Sequence, residues 1–116
     1  MSDLDQILTA LADPSRRRVV DLLRQKPRRA GDLATRLRMS PPALSRHLRI
    51  LRRSGLIEEE RVEEDARVRL YRLRQKPFRD LNRWLSDVEA IWDRQLDAFK
   101  QHVEMKNARK IGTRKS

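Results

Sequence analysis

The feature that most constrains this fold is a break of three residues between two short helical patterns. Ala30, Leu33, Ala34 and Leu37 follow the i, i+3, i+4, i+7 spacing of one helix face, and Leu44, Leu48 and Leu51 repeat at intervals of four and three. Between them stands Arg38-Met39-Ser40, followed by Pro41-Pro42. A serine accepts hydrogen bonds from the first free amides of a helix, and a proline at the first helical position sacrifices no bond. Ser40 and Pro41 therefore start a new helix just beyond the end of the previous one. Ser54-Gly55 closes it, because glycine suits the left-handed position past a helix C-terminus. The small side chains of Ala30 and Ala34 let another helix approach closely. Two short helices joined by so short a turn form a helix-turn-helix.

The flanking segments give the rest of the fold. Leu4, Ile7, Leu8 and Leu11 predict an amphipathic helix over residues 3–12. Asp13-Pro14 ends it and caps a second helix with a stripe of Val19, Leu22 and Leu23. That helix stops near Gln25-Lys26-Pro27, since proline disfavours helix in the residue before it. Residues 57–62 and 68–73 change character. Ile57, Val68, Leu70 and Tyr71-Arg72-Leu73 are apolar or β-branched with partial alternation. They flank the polar turn Glu63-Glu64-Asp65-Ala66 and predict an antiparallel hairpin. From Pro77 to Lys106 helical spacing returns through Phe78, Leu81, Leu85, Val88, Trp92, Phe99 and Val103, thickened by Trp84, Ile91 and Leu96. The expected fold is mainly α with a small β-hairpin wing: a winged helix-turn-helix of four helices, two strands and a long last helix. The length of 116 residues suits one domain, over 1–106, and residues 107–116, with Arg109, Lys110, Arg114 and Lys115, predict a frayed helix end or a basic C-terminal tail.

Charge narrows the choice of partner. The chain holds 28 Lys and Arg against 17 Asp and Glu, for a net charge of +11. Residues 14–53 alone hold thirteen bases and two acids, so this block carries as much positive charge as the whole chain. Folded onto one face, it is an electrostatic footprint for a polyanion, and double-stranded DNA is the expected partner.

At about 100° per residue the second helix of the motif turns Pro42, Arg46, Arg49 and Arg53 away from its leucines. Ser45 and Arg52 sit on one shoulder and His47 on the other. The start of a recognition helix reads base edges. Arg46 is thus expected on guanine, Ser45 on a base edge or phosphate, and Arg49 and Arg53 on phosphates. Ser40, Pro41 and Pro42 at the helix start, with Arg28 and Arg29 before the motif, complete the expected surface. His47 flanks the apolar stripe, where a histidine is more often packed than reading a base. In the wing, Arg61, Arg67 and Arg69 are expected to reach the backbone. Phosphate would repel Glu58-Glu59-Glu60 and Glu63-Glu64-Asp65, so the wing is the weakest element of the set.

Other classes fare worse. The chain has no cysteine, which removes disulfides, thiolate metal sites and cysteine nucleophiles and fits a reducing cytosol. The start Met1-Ser2-Asp3-Leu4-Asp5 lacks the apolar run of a secretory signal, and no window approaches about 18 consecutive apolar residues, so a cytoplasmic protein without a membrane partner is expected. A nuclease would need clustered carboxylates for Mg²⁺ or a histidine beside a nucleophile. The acids at 58–65 sit on a hairpin with no second cluster near them, so neither a catalytic residue nor a cofactor is expected. The remaining alternatives are a winged protein-interaction module with little DNA binding, favoured by the acidic wing and opposed by the arginine stripe, and a regulator responding to a small effector.

Apolar surplus predicts a homodimer. The stripe of the last helix, through Leu85, Trp92, Leu96, Phe99 and Val103, continues after intrachain partners run out, and Leu4, Ile7, Leu8 and Leu11 form a similar face on the first helix. Left exposed, they would make a patch larger than monomers usually carry. Pairing them across a two-fold axis sets two recognition helices about 34 Å apart and implies an inverted-repeat operator.

Read together, these segments resemble a known family. Ala10-Leu11-Ala12-Asp13-Pro14-Ser15-Arg16-Arg17-Arg18-Val19-Val20, Asp32-Leu33-Ala34 and Ser40-Pro41-Pro42-Ala43-Leu44-Ser45-Arg46-His47-Leu48-Arg49-Ile50-Leu51 are similar to the ArsR family of bacterial winged-helix repressors, as are Gly55-Leu56-Ile57 and Arg69-Leu70-Tyr71-Arg72-Leu73. The resemblance covers residues 4–105. It implies the element order already read, a homodimer built from the first and last helices, and autoregulated repression of a nearby operon. Metal-sensing members carry a thiolate pair on the helix before the turn, where this chain has Arg28-Arg29-Ala30-Gly31-Asp32. Another group places Asp and His ligands along the last helix, where this chain has Asp87, Glu89 and a lone histidine, His102, at a different spacing. The resemblance is therefore to a member without a metal site, and no metal is expected.

Overall fold

A computed structural model of the chain describes the backbone of residues 3–62 and 65–115 and the side chains of 3–62 and 68–108. In chain order the elements are α1 (Asp3–Leu11), α2 (Pro14–Leu23), β1 (Arg28–Arg29), α3 (Ala30–Leu37), α4 (Pro41–Arg53), β2 (Ile57–Val62), β3 (Asp65–Leu73) and α5 (Gln75–Lys115). This is the expected winged helix-turn-helix, with two departures. A two-residue strand precedes α3 and pairs antiparallel with β3, Arg28 opposite Tyr71 and Arg29 opposite Leu70, so the sheet has three strands in the order β1-β3-β2. The last helix also runs unbroken through the segment expected to be a frayed helix end or a tail, as far as Lys115.

The chain divides into two compact units, Met1–Leu81 and Asn82–Ser116. In the first, one core gathers a stripe from each element: Ile7 and Ala10 of α1, Val19 and Leu23 of α2, Leu33 and Leu37 of α3, Leu44, Leu48 and Leu51 of α4, then Leu56 and Ile57. Capping fixes where the helices begin. The Asp13 carboxylate accepts from the Ser15 and Arg16 amides at 2.8 and 3.1 Å, and Ser40 Oγ accepts from the Ala43 amide at 3.3 Å. Between α3 and α4, Arg38 takes a left-handed conformation, φ 54°, while the Met39 amide donates to Ala34 O at 3.0 Å. Gly55, φ 75°, closes α4 in the same way, with the Leu56 amide donating to Leu51 O at 3.0 Å. The turn that sets the angle between α3 and α4 is thus pinned at both ends.

Part of the basic block is consumed in building this unit. Arg16 Nε donates to Ala10 O at 2.6 Å and its Nη2 to Thr9 O at 3.2 Å. Arg17 Nη1 donates to Leu11 O and Ala12 O at 2.8 and 3.1 Å. These guanidiniums satisfy the carbonyls that α1 leaves open at its C-terminus, where a cation also opposes the helix dipole.

The apolar face of α1 corrects the expected dimer surface. Ile7 is 2% exposed and belongs to the core, and Leu11 packs against that core. The reason is the close α1–α2 connection, which folds α1 onto the α2 and α4 stripes. Leu8 remains exposed and Leu4 is half-buried. In the second unit, residues 82–115 are helical, and Trp84, Leu85, Ile91, Trp92, Leu96, Phe99 and Val103 are all exposed. A lone helix cannot bury its own side chains, and this one keeps an apolar stripe over about six turns.

Candidate nucleic-acid interface

The α4 helix separates its side chains sharply. Leu44, Leu48 and Leu51 are buried, whereas Pro41, Pro42, Ser45, Arg46, Arg49, Arg52 and Arg53 are exposed. Among the described residues, Arg46, Arg49 and Arg53 enter no ion pair or side-chain hydrogen bond, so their guanidinium donors remain available to an anion. Ser40 is spent on capping α4. His47 is half-buried, and its Nδ1 is shielded from solvent without a hydrogen-bond partner among the described residues. Its ring packs beside the core rather than projecting with the arginines.

Arg28 departs from the expected surface set. It is 4% exposed, and its guanidinium is fully engaged inside the fold. Nε donates to Leu22 O at 3.1 Å, Nη1 to Asp32 Oδ2 at 2.9 Å and Nη2 to Gln25 Oε1 at 2.8 Å. Asp32 sits in the first turn of α3, one helical turn along, and its other oxygen accepts from Arg36 Nε at 3.0 Å. Hydrogen bonds from Arg28 and then Arg36 hold the Asp32 carboxyl below the usual carboxylate range. Arg28 therefore joins the end of α2 to the start of α3 and is a structural residue. Arg28→Ala is expected to lower unfolding free energy by about 1–3 kcal/mol, since it removes a buried side chain and the three hydrogen bonds it donates, while its part-exposed partners can turn to water. The salt dependence of DNA binding by the folded fraction should not change. Urea unfolding alongside a salt titration checks both.

Three of the wing acids, Glu58, Glu59 and Glu60, are neutralised locally, while the side chains of Glu63, Glu64 and Asp65 lie outside the described residues. Glu58 Oε1 accepts from Arg72 Nε at 2.7 Å, and Glu60 lies 3.3 Å from the same guanidinium. Glu59 accepts Arg69 Nη1 at 2.8 Å and Arg52 Nη1 at 3.1 Å. Tyr71, opposite Glu59 in the hairpin, donates its hydroxyl to the same carboxylate at 3.2 Å. Burial, reinforced by the Glu59 charge, raises the Tyr71 phenol above its ordinary value and keeps it a donor. Arg69 is consequently only partly free, while Arg61 and Arg29 are exposed. The Arg67 side chain lies outside the described residues. Between α4 and the hairpin runs a groove lined by Arg49, Arg52, Arg53, Glu58, Glu59 and Arg74.

Sequence reasoning thus placed Arg46, Arg49, Ser45 and Pro42 on one exposed face, with Arg29 and Arg61 exposed on the sheet. It took Glu59 only as an acid that phosphate would repel, because the fold alone brings Arg52 of α4 and Arg69 of β3 onto its carboxylate. Among the described residues, no group of three or more His, Cys, Asp or Glu is placed to hold a metal ion. Among the described residues, no helix is long and apolar enough to cross a membrane.

Residues 13–59 match the family model described as bacterial regulatory protein, arsR family. The chain is 36% identical over 58 residues to the transcriptional repressor SdpR of Bacillus subtilis, covering 50% of this chain and 64% of that protein, a little under two thirds of its length. It is 31% identical over 100 residues to the HTH-type transcriptional regulator Rv2034 of Mycobacterium tuberculosis, covering 86% of this chain and 88% of that one. Among solved structures, an ArsR-like transcriptional regulator from Rhodococcus sp. RHA1 superposes with a TM-score of 0.73 at 33% identity, over 88% of this chain and 91% of that chain.

Proposed function

The chain belongs to the ArsR family of bacterial transcriptional regulators, and from that premise we propose that it is a homodimeric repressor that reads an inverted-repeat operator with α4. The observation that carries this reading is the face of α4. Its leucines are buried, and Arg46, Arg49 and Arg53 project from the opposite side without ion-pair partners among the described residues. An α-helix fits the major groove, and the residues near its start reach the base edges. Arg46 takes the base-reading role, with its forked donors matched to the two acceptors of guanine. Arg49, Arg53, Arg29 and Arg61 neutralise phosphates on either side and fix the register. Repression follows from occupancy: a dimer seated on an operator excludes other proteins from that DNA. The printed role of the Bacillus subtilis relative, a transcriptional repressor, supports this sign of regulation.

Arg46→Ala tests the reading. Loss of a bidentate base contact is expected to weaken operator binding by about 1–3 kcal/mol and to relax preference at one base position in each half-site. Arg53→Ala should weaken all sequences about equally. Competition binding with operator and random duplex measures the ratio, and an unchanged ratio for Arg46→Ala would remove Arg46 from base reading.

A further inference from the structure

We infer that Glu59 is a positioning residue for DNA recognition: it ties α4 to the wing through Arg52 and Arg69 and so fixes where both arginines present their remaining donors. The inference rests on the reading that α4 enters the DNA groove. Its own basis is the geometry of one carboxylate. Glu59 Oε1 holds Arg69 of β3 at 2.8 Å, and Oε2 holds Arg52 of α4 at 3.1 Å together with the Tyr71 hydroxyl at 3.2 Å. Glu59's side chain is 13% exposed, against 44% and 53% for Glu58 and Glu60. Those two neighbours pair only within the hairpin and its exit, on Arg72 and Arg74. Among the described residues, the Arg52–Glu59 pair is the one ion pair joining α4 to the hairpin.

The location matters mechanically. The α4–β2 connection is short, and Leu56 and Ile57 anchor its root in the core. Above that root the hairpin has Glu59 as its next tie to α4. Arg52 and Arg69 each keep about half their side-chain surface exposed, 50% and 46%, and a guanidinium has five donors. Each can therefore hold Glu59 and a phosphate at once. An acid at a DNA-facing surface opposes binding by charge alone, so its presence is explained if it sets geometry.

The two effects have opposite signs, which makes the test decisive. If charge alone mattered, Glu59→Gln would tighten binding to every duplex. As a positioning residue, Glu59 has a different signature. Glu59→Gln should lower affinity for an operator selected from random DNA about tenfold, the size of a typical coupling between contacting residues. Affinity for random duplex of the same length should hold or rise. Tyr71→Phe removes one of the three partners without changing charge. It should reproduce a smaller loss in the operator-to-random ratio, and it decides the matter if Glu59→Gln fails to fold. Glu59→Gln added to Arg52→Ala should lower that ratio by less than Glu59→Gln does in the wild type, because only the tie to Arg69 is then left to lose. Competition binding on variants shown by circular dichroism to be folded gives these ratios. An unchanged ratio in folded Glu59→Gln and Tyr71→Phe, or equal tightening on both duplexes, overturns the role of Glu59 and leaves the DNA reading standing. A wild type that does not discriminate between duplexes overturns both.

Discussion

Raising salt from about 50 to 200 mM is expected to weaken duplex binding by about 10³–10⁵, the loss associated with 6–10 phosphate contacts. The available cations can be identified. Arg49, Arg53, Arg29 and Arg61 are exposed and unpaired among the described residues, and Arg46 adds charge at the base edges. In the proposed dimer, two subunits would double this set and bring it into the required range. Arg16 and Arg28 do not count toward it, since their guanidiniums are committed to backbone carbonyls and to internal partners. The slope should therefore fall well below the net charge of the dimer. Titrations at several salt concentrations give the slope directly. An affinity flat across this range would mean that the basic block does not meet phosphate.

The second large effect concerns assembly. Trp92→Glu combined with Phe99→Glu is expected to give a folded monomer that binds an inverted repeat about 10²–10⁴-fold more weakly, the advantage lost when a second linked half-site disengages. Trp92 and Phe99 are 59% and 67% exposed, and neither belongs to the buried core cluster. They place two charges per chain in an apolar stripe that a second copy would bury. Sedimentation and operator titration of the variant check this together. A wild type that is monomeric at micromolar concentration contradicts the dimer, as does a monomeric variant with full affinity.

Much of the fold was legible because local chemistry and global packing agree here. Asp13-Pro14 and Ser40-Pro41 cap the helices they were expected to cap, and Gly55 takes the left-handed conformation at the end of α4. The leucine spacing of α4 dictates which residues face out, so its arginine face could be read without coordinates. What escaped has identifiable causes. The strand β1 has two residues, too few for alternation to register. Arg28 sits in a run of bases that reads as surface, and only Gln25 and Asp32, at helix-like offsets, hint that its charge is compensated. Ile7 lies on an α1 stripe that looked unspent because sequence spacing cannot say which neighbour covers it. Residues 107–115 lack apolar periodicity, yet their lysine, arginine and alanine are compatible with helix, and the backbone continues as one. Glu58, Glu59 and Glu60 looked repulsive in one dimension, because the folding that brings Arg52, Arg69 and Arg72 onto them appears only in the structure.

The most direct test of the central claim is to select binding sites from random duplex DNA with the purified chain and to count the chains bound to the winning sequence. Two chains on an inverted repeat, with half-sites about one helical turn, ~34 Å, apart, are predicted from a dimer presenting two copies of α4. Failure to enrich any sequence, or a single asymmetric site held by one chain, would contradict it.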